Sequence, residues 1–180
     1  SGSSSSDASG GQGGGDMSAD AALQLWINGG DLTVWSSGDG LDSNGYATIT
    51  GGTITVNGPT SDGNGALDVN GTLEITGGTL VALGSAGMAE SPESDSAQGW
   101  LAAALDGAGS AGSTVTITAD DGTVVLTHVA DKDFASVVFS SAEVQSGATY
   151  TVSVDGTEVA TVIAGEALAG GMGGPGQLGG

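Results

Sequence analysis

Cysteine and arginine are absent from this 180-residue chain, and lysine and histidine occur once each, as Lys132 and His128. Without cysteine there is no disulfide framework and no thiol chemistry. Without cations, 21 acidic residues and a formal charge of −20 have almost no salt-bridge partners. Solvent, backbone N–H groups or metal ions must serve those carboxylates instead. Such a surface repels nucleic-acid phosphates and anionic membrane faces, so no nucleic-acid partner is expected. No apolar run reaches the ~18 residues of a spanning helix, so membrane insertion is not expected either. Aromatic residues make up only 4% of the chain, which makes the placement of each one informative.

Glycine, by contrast, supplies 36 residues. They punctuate a middle region rich in Val, Ile, Leu and Thr, a pattern that favours a turn-dense β structure over disorder. Residues 1–20 (SGSSSSDASGGQGGGDMSAD) and the Gly-rich tail at 166–180 read as flexible linkers, because neither holds enough apolar residues to offset the entropy of ordering.

Between the tails lies an internal repeat. INGGDLTVWSSGDGLDSNG from Ile27, ITGGTITVNGPTSDGNGALDVNG from Ile49 and ITGGTLVALGSAGMAE from Ile75 align on their Gly-Gly pairs. Leu32, Ile54 and Leu80 then correspond, as do Val34, Val56 and Ala82. Each unit reads as strand, Gly-Gly corner, strand, polar turn. A single unit cannot bury its apolar face, whereas stacked units can, each strand pairing with its equivalent ~4.8 Å away. The expected fold class is therefore all-β: a right-handed parallel β-helix of about three coils over 21–97. An antiparallel sandwich is the alternative. From Gln98 the pattern changes to strands joined by ADDG and VDGT turns, read as an antiparallel β module over 98–165 that caps the coils. GWLAAALDG at its start fits a short helix or a buried strand.

The polar turns carry the chemistry. GDGLDSNG holds Asp39, Asp42 and Asn44; one unit on, Asp62, Asn64 and Asp68 follow. If the units stack in register, these oxygen donors fall on one side, a few ångström apart. Carboxylates that close are costly unless a cation bridges them, and oxygen-only donors favour calcium over zinc or copper. The plain alternative is that Asp-Gly and Asn-Gly simply form turns and cap their own backbone. No EF-hand loop and no tandem GGxGxDxUx nonapeptide is present.

The ordered series GG-x-[LI]-x-V, GDGLDSNG, DGNGALD, GGTLVALGSAGMA, FASVVFSS and GATYTVSVDG resembles the bacterial calcium-dependent carbohydrate-binding β-helix proteins. The resemblance covers residues ~22–163. It implies a non-catalytic, extracellular or cell-surface module that uses Ca2+ and binds a polysaccharide, cellulose or a polygalacturonate-like acidic glycan. It also implies a strand rather than a helix at 98–105.

Aromatic faces stack on sugar rings. Trp26 lies between inward-facing Leu25 and Ile27 and is matched in the repeat by polar Thr48 and Glu74, so it should point outward. Trp35 follows inward Val34 and should also point outward; Tyr46 joins them as a third candidate for carbohydrate binding. The competing reading has the tryptophans covering a missing coil. Trp100, Phe134, Phe139 and Tyr150 read as core packing. Two other functions compete: a self-associating adhesin or surface fibre, and a polysaccharide lyase. Lyase chemistry needs a base, usually Arg or Lys. This chain has no Arg, and its one Lys lies outside the repeats, so the chain is not expected to be an enzyme.

Overall fold

The computed structural model describes residues 19–168, so the readings for 1–18 and 169–180 lie outside the described residues. Alternating β-branched and polar residues form twelve strands and, among the described residues, no helix. They are β1 (Gln24–Trp35), β2 (Leu41–Ser43), β3 (Tyr46–Asn57), β4 (Leu67–Val69), β5 (Leu73–Ile75), β6 (Thr79–Gly84), β7 (Trp100–Gly109), β8 (Thr114–Ala119), β9 (Val124–Val129), β10 (Phe134–Ser140), β11 (Thr149–Val154) and β12 (Thr157–Ile163).

Within the repeats the pairing is parallel and follows the Gly-Gly alignment. Ile27 faces Ile49, Leu32 faces Ile54 and Val34 faces Val56 across β1 and β3. Ile54 faces Leu80 and Val56 faces Ala82 across β3 and β6, while Ile49 faces Ile75 across β3 and β5. Strands β1 and β3, and the chain between β5 and β6, turn at their Gly-Gly pairs, where Gly30, Gly52 and Gly78 hold φ of 86°, 100° and 89°. A Cβ on Gly52 would come within 2.8 Å of the Gly30 carbonyl oxygen, and one on Gly78 within 2.8 Å of that of Gly52. Both the left-handed backbone and the close stacking therefore require glycine there.

The expected right-handed parallel β-helix is not what forms. Among the described residues the largest sheet, ordered β1-β3-β6-β10-β7 with β5 attached to β3, is mixed; the four-stranded sheet β12-β11-β8-β9 is antiparallel throughout; and the only wholly parallel sheet has two strands, β2 and β4. The physical reason lies at β6. Its free edge is taken by β10, antiparallel, with Val138 opposite Ala82 and Phe139 opposite Val81. β7 then pairs with β10, also antiparallel. With that edge filled from a distant part of the chain, no further parallel winding can add to it. The stretch at 98–105, ambiguous by composition, enters strand β7 at Trp100.

The mixed sheet is buried on both faces where β6, β7 and β10 run. Leu80, Ala82, Trp100, Ala102 and Val138 point into one core with Ile49, Ile54, Val56, Leu67 and Ile75. Val81, Leu83, Leu101, Ala103, Val137 and Phe139 point into the other, against Val115, Ile117, Tyr150 and Val152 of the four-stranded sheet. Continuous apolar runs such as LVAL and VVF suit strands covered on both sides. At the opposite edge β1 has no outer strand among the described residues, and Leu32 is 37% exposed although Ile54, its counterpart one strand in, is fully buried.

Candidate functional site: an acidic turn stack and an aromatic sheet face

The acidic turns come together in part. Leu41 and Leu67 pair across β2 and β4 and bury their side chains, which sets Asp42 directly beside Asp68. Asp39, in the turn before β2, accepts a hydrogen bond from the Gly65 N–H at 2.9 Å, tying it to the next unit. Burial, and then the charges of Asp39 and Asp42, push the Asp68 carboxyl above the usual carboxylate range. Asn44 is exposed and its Oδ1 accepts from Asn70 Nδ2 at 3.5 Å. Asn64 offers its backbone carbonyl, which accepts the Ser85 hydroxyl at 2.6 Å. Asp62 is exposed and packs beside Gly87, where a Cβ would meet the Asp62 Cβ at 2.5 Å.

One member of this stack went unnoticed in the sequence. Glu90, 22 residues beyond Asp68, accepts the Val69 N–H through Oε2 at 2.9 Å. Burial pushes its carboxyl up to about 7, and the charges of Asp68 and Asp39 add to the rise, against the lowering effect of the Val69 hydrogen bond. The repeat gives no signal for it: Asp42 to Asp68 is a step of 26 residues, and the same step from Asp68 lands on Ser94 rather than Glu90.

The donors are all oxygens and repel one another, a chemistry that suits a hard cation such as calcium. The geometry is less complete. Among the described residues no three acidic or imidazole side chains converge on one point as a ready-made metal shell.

The aromatic candidates lie at the surface. Trp26 is 57% and Trp35 62% exposed, both on edge strand β1. Tyr46 is half-buried at the start of β3; its ring lies over Gly71, where a Cβ would come within 2.9 Å of Cδ1. The register places Gln24 beside Tyr46, and runs Trp26, Thr48 and Glu74 across β1, β3 and β5. Alternation turns these five residues away from the core that holds Ala47, Ile49, Leu73 and Ile75. At the foot of this face lies an open cleft of about 280 Å³ lined by Thr72, Glu74, Glu93 and Asp95. Its far wall is pinned to β5: the Glu93 N–H donates to the Leu73 carbonyl at 2.9 Å, and the Ile75 N–H donates to the Ser96 hydroxyl at 3.1 Å. The Trp100 indole N–H donates to the Glu93 carbonyl at 2.8 Å.

Lys132 reaches the repeats despite its distance in sequence. Its ammonium donates to the Ser36 carbonyl and, at 2.6 Å, to the Gly58 carbonyl. The side chain thus clips the turn before β10 onto the ends of β1 and β3. Beside it, Asn57 donates through Nδ2 to Asp131 at 3.4 Å. His128, half-buried on β9, is held below the usual histidine range by burial, with Asp131 opposing the shift.

No family model matches the chain, and comparison with curated proteins and with solved structures finds no similar chain. The resemblance to calcium-dependent carbohydrate-binding proteins therefore rests on its sequence motifs.

Proposed function

We propose that this protein is a non-catalytic polysaccharide-binding module whose contact surface is the outward face of β1 and β3, continued by β5 on the Trp26 side of the Gly-Gly corner and by β6 on the Trp35 side. The observation that carries the reading is the exposure of Trp26 and Trp35 in a chain otherwise poor in aromatics, whose four largest buried side chains are Trp100, Tyr150, Phe134 and Phe139. An exposed indole on an edge strand offers a flat apolar platform of the kind on which sugar rings stack, with Thr48, Gln24 and Glu74 at hand for hydroxyl groups. In this reading calcium is a stabiliser: it relieves the repulsion among Asp39, Asp42, Asp68 and Glu90, and bridges acidic sugars if the glycan carries them. Asp62, Asn64 and Asn44 would add neutral or charged oxygens from the same turns. An extracellular or cell-surface location goes with this proposal.

The non-catalytic part rests on the cations. With no Arg, a lyase base would have to be Lys132 or His128; the Lys132 ammonium is engaged by two backbone carbonyls, and His128 is half-buried on β9 of the four-stranded sheet. The test is retention on cellulose and on polygalacturonate, with calcium and with a chelator, for the parent chain, Trp26→Ala and Trp35→Ala. Retention that falls in the tryptophan variants supports the reading. No retention on any glycan overturns it.

The exposed β1 edge favours a second reading, self-association into a fibre. The outer edge of this twelve-residue strand has no strand beside it among the described residues, and β1 carries a single charge, Asp31, and no Pro or Lys to deter pairing. Concentration-dependent growth in light scattering, abolished by Ile27→Lys, would support it over glycan binding.

A further inference from the structure

The face described above ends in carboxylates. Glu74, Glu93 and Asp95 line one cleft, and Glu74 stands in the same cross-strand row as Trp26. The whole chain carries −20, with no Arg and with its one Lys engaged elsewhere. A uronate docked here would set its own carboxylates against these three. Glu74 and Asp95 are exposed and Glu93 is half-buried, so water serves them in the free protein, and a neutral glycan would displace that water without supplying a charge. A glycan bearing amines would satisfy them.

The spacing agrees. Trp26 and Glu74 are two strand positions apart, ~9.6 Å at the usual inter-strand distance, which is comparable with the length of a disaccharide. A sugar ring stacked on Trp26 therefore brings a neighbouring ring of the same polymer over Glu74 and the cleft mouth. The Trp26 indole also attracts a cation over its face. Tyr46 lies on the strand between, beside Gln24, with its ring over Gly71.

We infer that the face formed by Trp26, Tyr46, Thr48 and Glu74, with the Glu93–Asp95 cleft, binds a polysaccharide of free amino sugars, a β-linked glucosamine polymer, in preference to neutral or uronate glycans. This rests on the carbohydrate-binding reading and narrows it. The indole supplies the stacking platform, and the carboxylates supply charge-assisted hydrogen bonds to ammonium groups. Orientation follows from the sheet: the glycan runs across the strands, from the β1 edge toward the 93–96 turn.

The test is calorimetric titration of the intact chain with three soluble oligomers: deacetylated glucosamine, its N-acetylated counterpart and cello-oligosaccharide. It is run at about 0.15 M salt, where longer-range attraction is screened. The deacetylated oligomer should bind at least about tenfold tighter than the other two. Trp26→Ala and the double variant Glu74→Gln/Glu93→Gln should each cost about tenfold or more, while Asp120→Asn/Glu143→Gln, neutralised far from the face, should cost little. Cello-oligosaccharide bound as tightly, with the same Trp26 dependence, overturns the amino-sugar inference and leaves carbohydrate binding standing. Equal losses from the near and the remote charge pairs, or equal binding of spermine, would reveal general attraction to a polyanion and also overturn it. Binding of none of the oligomers removes both readings together.

Discussion

Glu90 gives the sharpest test of the physical reasoning. Its carboxyl stands at about 7 in the folded chain against 4.5 for an unperturbed glutamate. Between those values the folded state holds a proton that the unfolded chain has released, so stability falls as pH rises through the window and the full penalty is present above pH ~7. At about 1.4 kcal/mol per pH unit the gap corresponds to roughly 3 kcal/mol. Part of the side chain sees solvent, and screening cuts that to roughly 1–2 kcal/mol. For a domain of this size that is about 2–8 °C in Tm. Glu90→Gln keeps an acceptor for the Val69 N–H and removes the charge. The variant should melt higher than the parent at about pH 8 and converge with it near pH 5, in chelator so that no cation masks the repulsion. His128 titrates in the opposite sense, because its folded-state value is lowered and stability is lost as pH falls through it. Subtracting variant from parent at each pH cancels that contribution. A difference between the two chains that stays flat from pH 5 to 8 would refute the claim that Glu90 is a strained carboxylate inside the turn stack.

Calcium, by neutralising the same repulsion, should raise the parent Tm at neutral pH by several degrees and raise that of Asp42→Asn/Asp68→Asn much less; differential scanning calorimetry with and without chelator checks this. Gly52→Ala should destabilise by about 2–4 kcal/mol in urea titration, since the left-handed backbone and the contact with the Gly30 carbonyl both penalise a methyl group. Lys132→Met should lower stability by about 2–3 kcal/mol, because the Ser36 and Gly58 carbonyls lose a charged donor; a variant as stable as the parent would mean that the clip contributes nothing. Trp26→Ala should leave the urea midpoint within about 0.5 kcal/mol of the parent while glycan retention falls, because the side chain is mostly exposed.

Much of the pattern in the repeats was legible in the residues alone. A Gly-Gly pair followed by alternating Leu/Ile and Val defines both the corner and the inward face, because side-chain direction in a strand follows a period of two. The same alternation sent Trp26 and Trp35 outward and set Asp42 beside Asp68. Tertiary structure decided the architecture. Nothing in FASVVFSS states that it will lie antiparallel along β6, some fifty residues back in sequence; its apolar run says only that both its faces are covered. That one pairing turns a stack of repeats into a mixed sheet shared by two cores. The fold also decided where isolated charges come to rest. Lys132 meets the Ser36 and Gly58 carbonyls, Glu90 closes on Asp68, and Glu93 and Asp95 join Glu74, all across loops with no periodicity of their own. Periodicity encodes which way a side chain faces, whereas the strand or charge it meets across a long loop depends on which hydrogen-bonding edges and buried volumes remain to be filled.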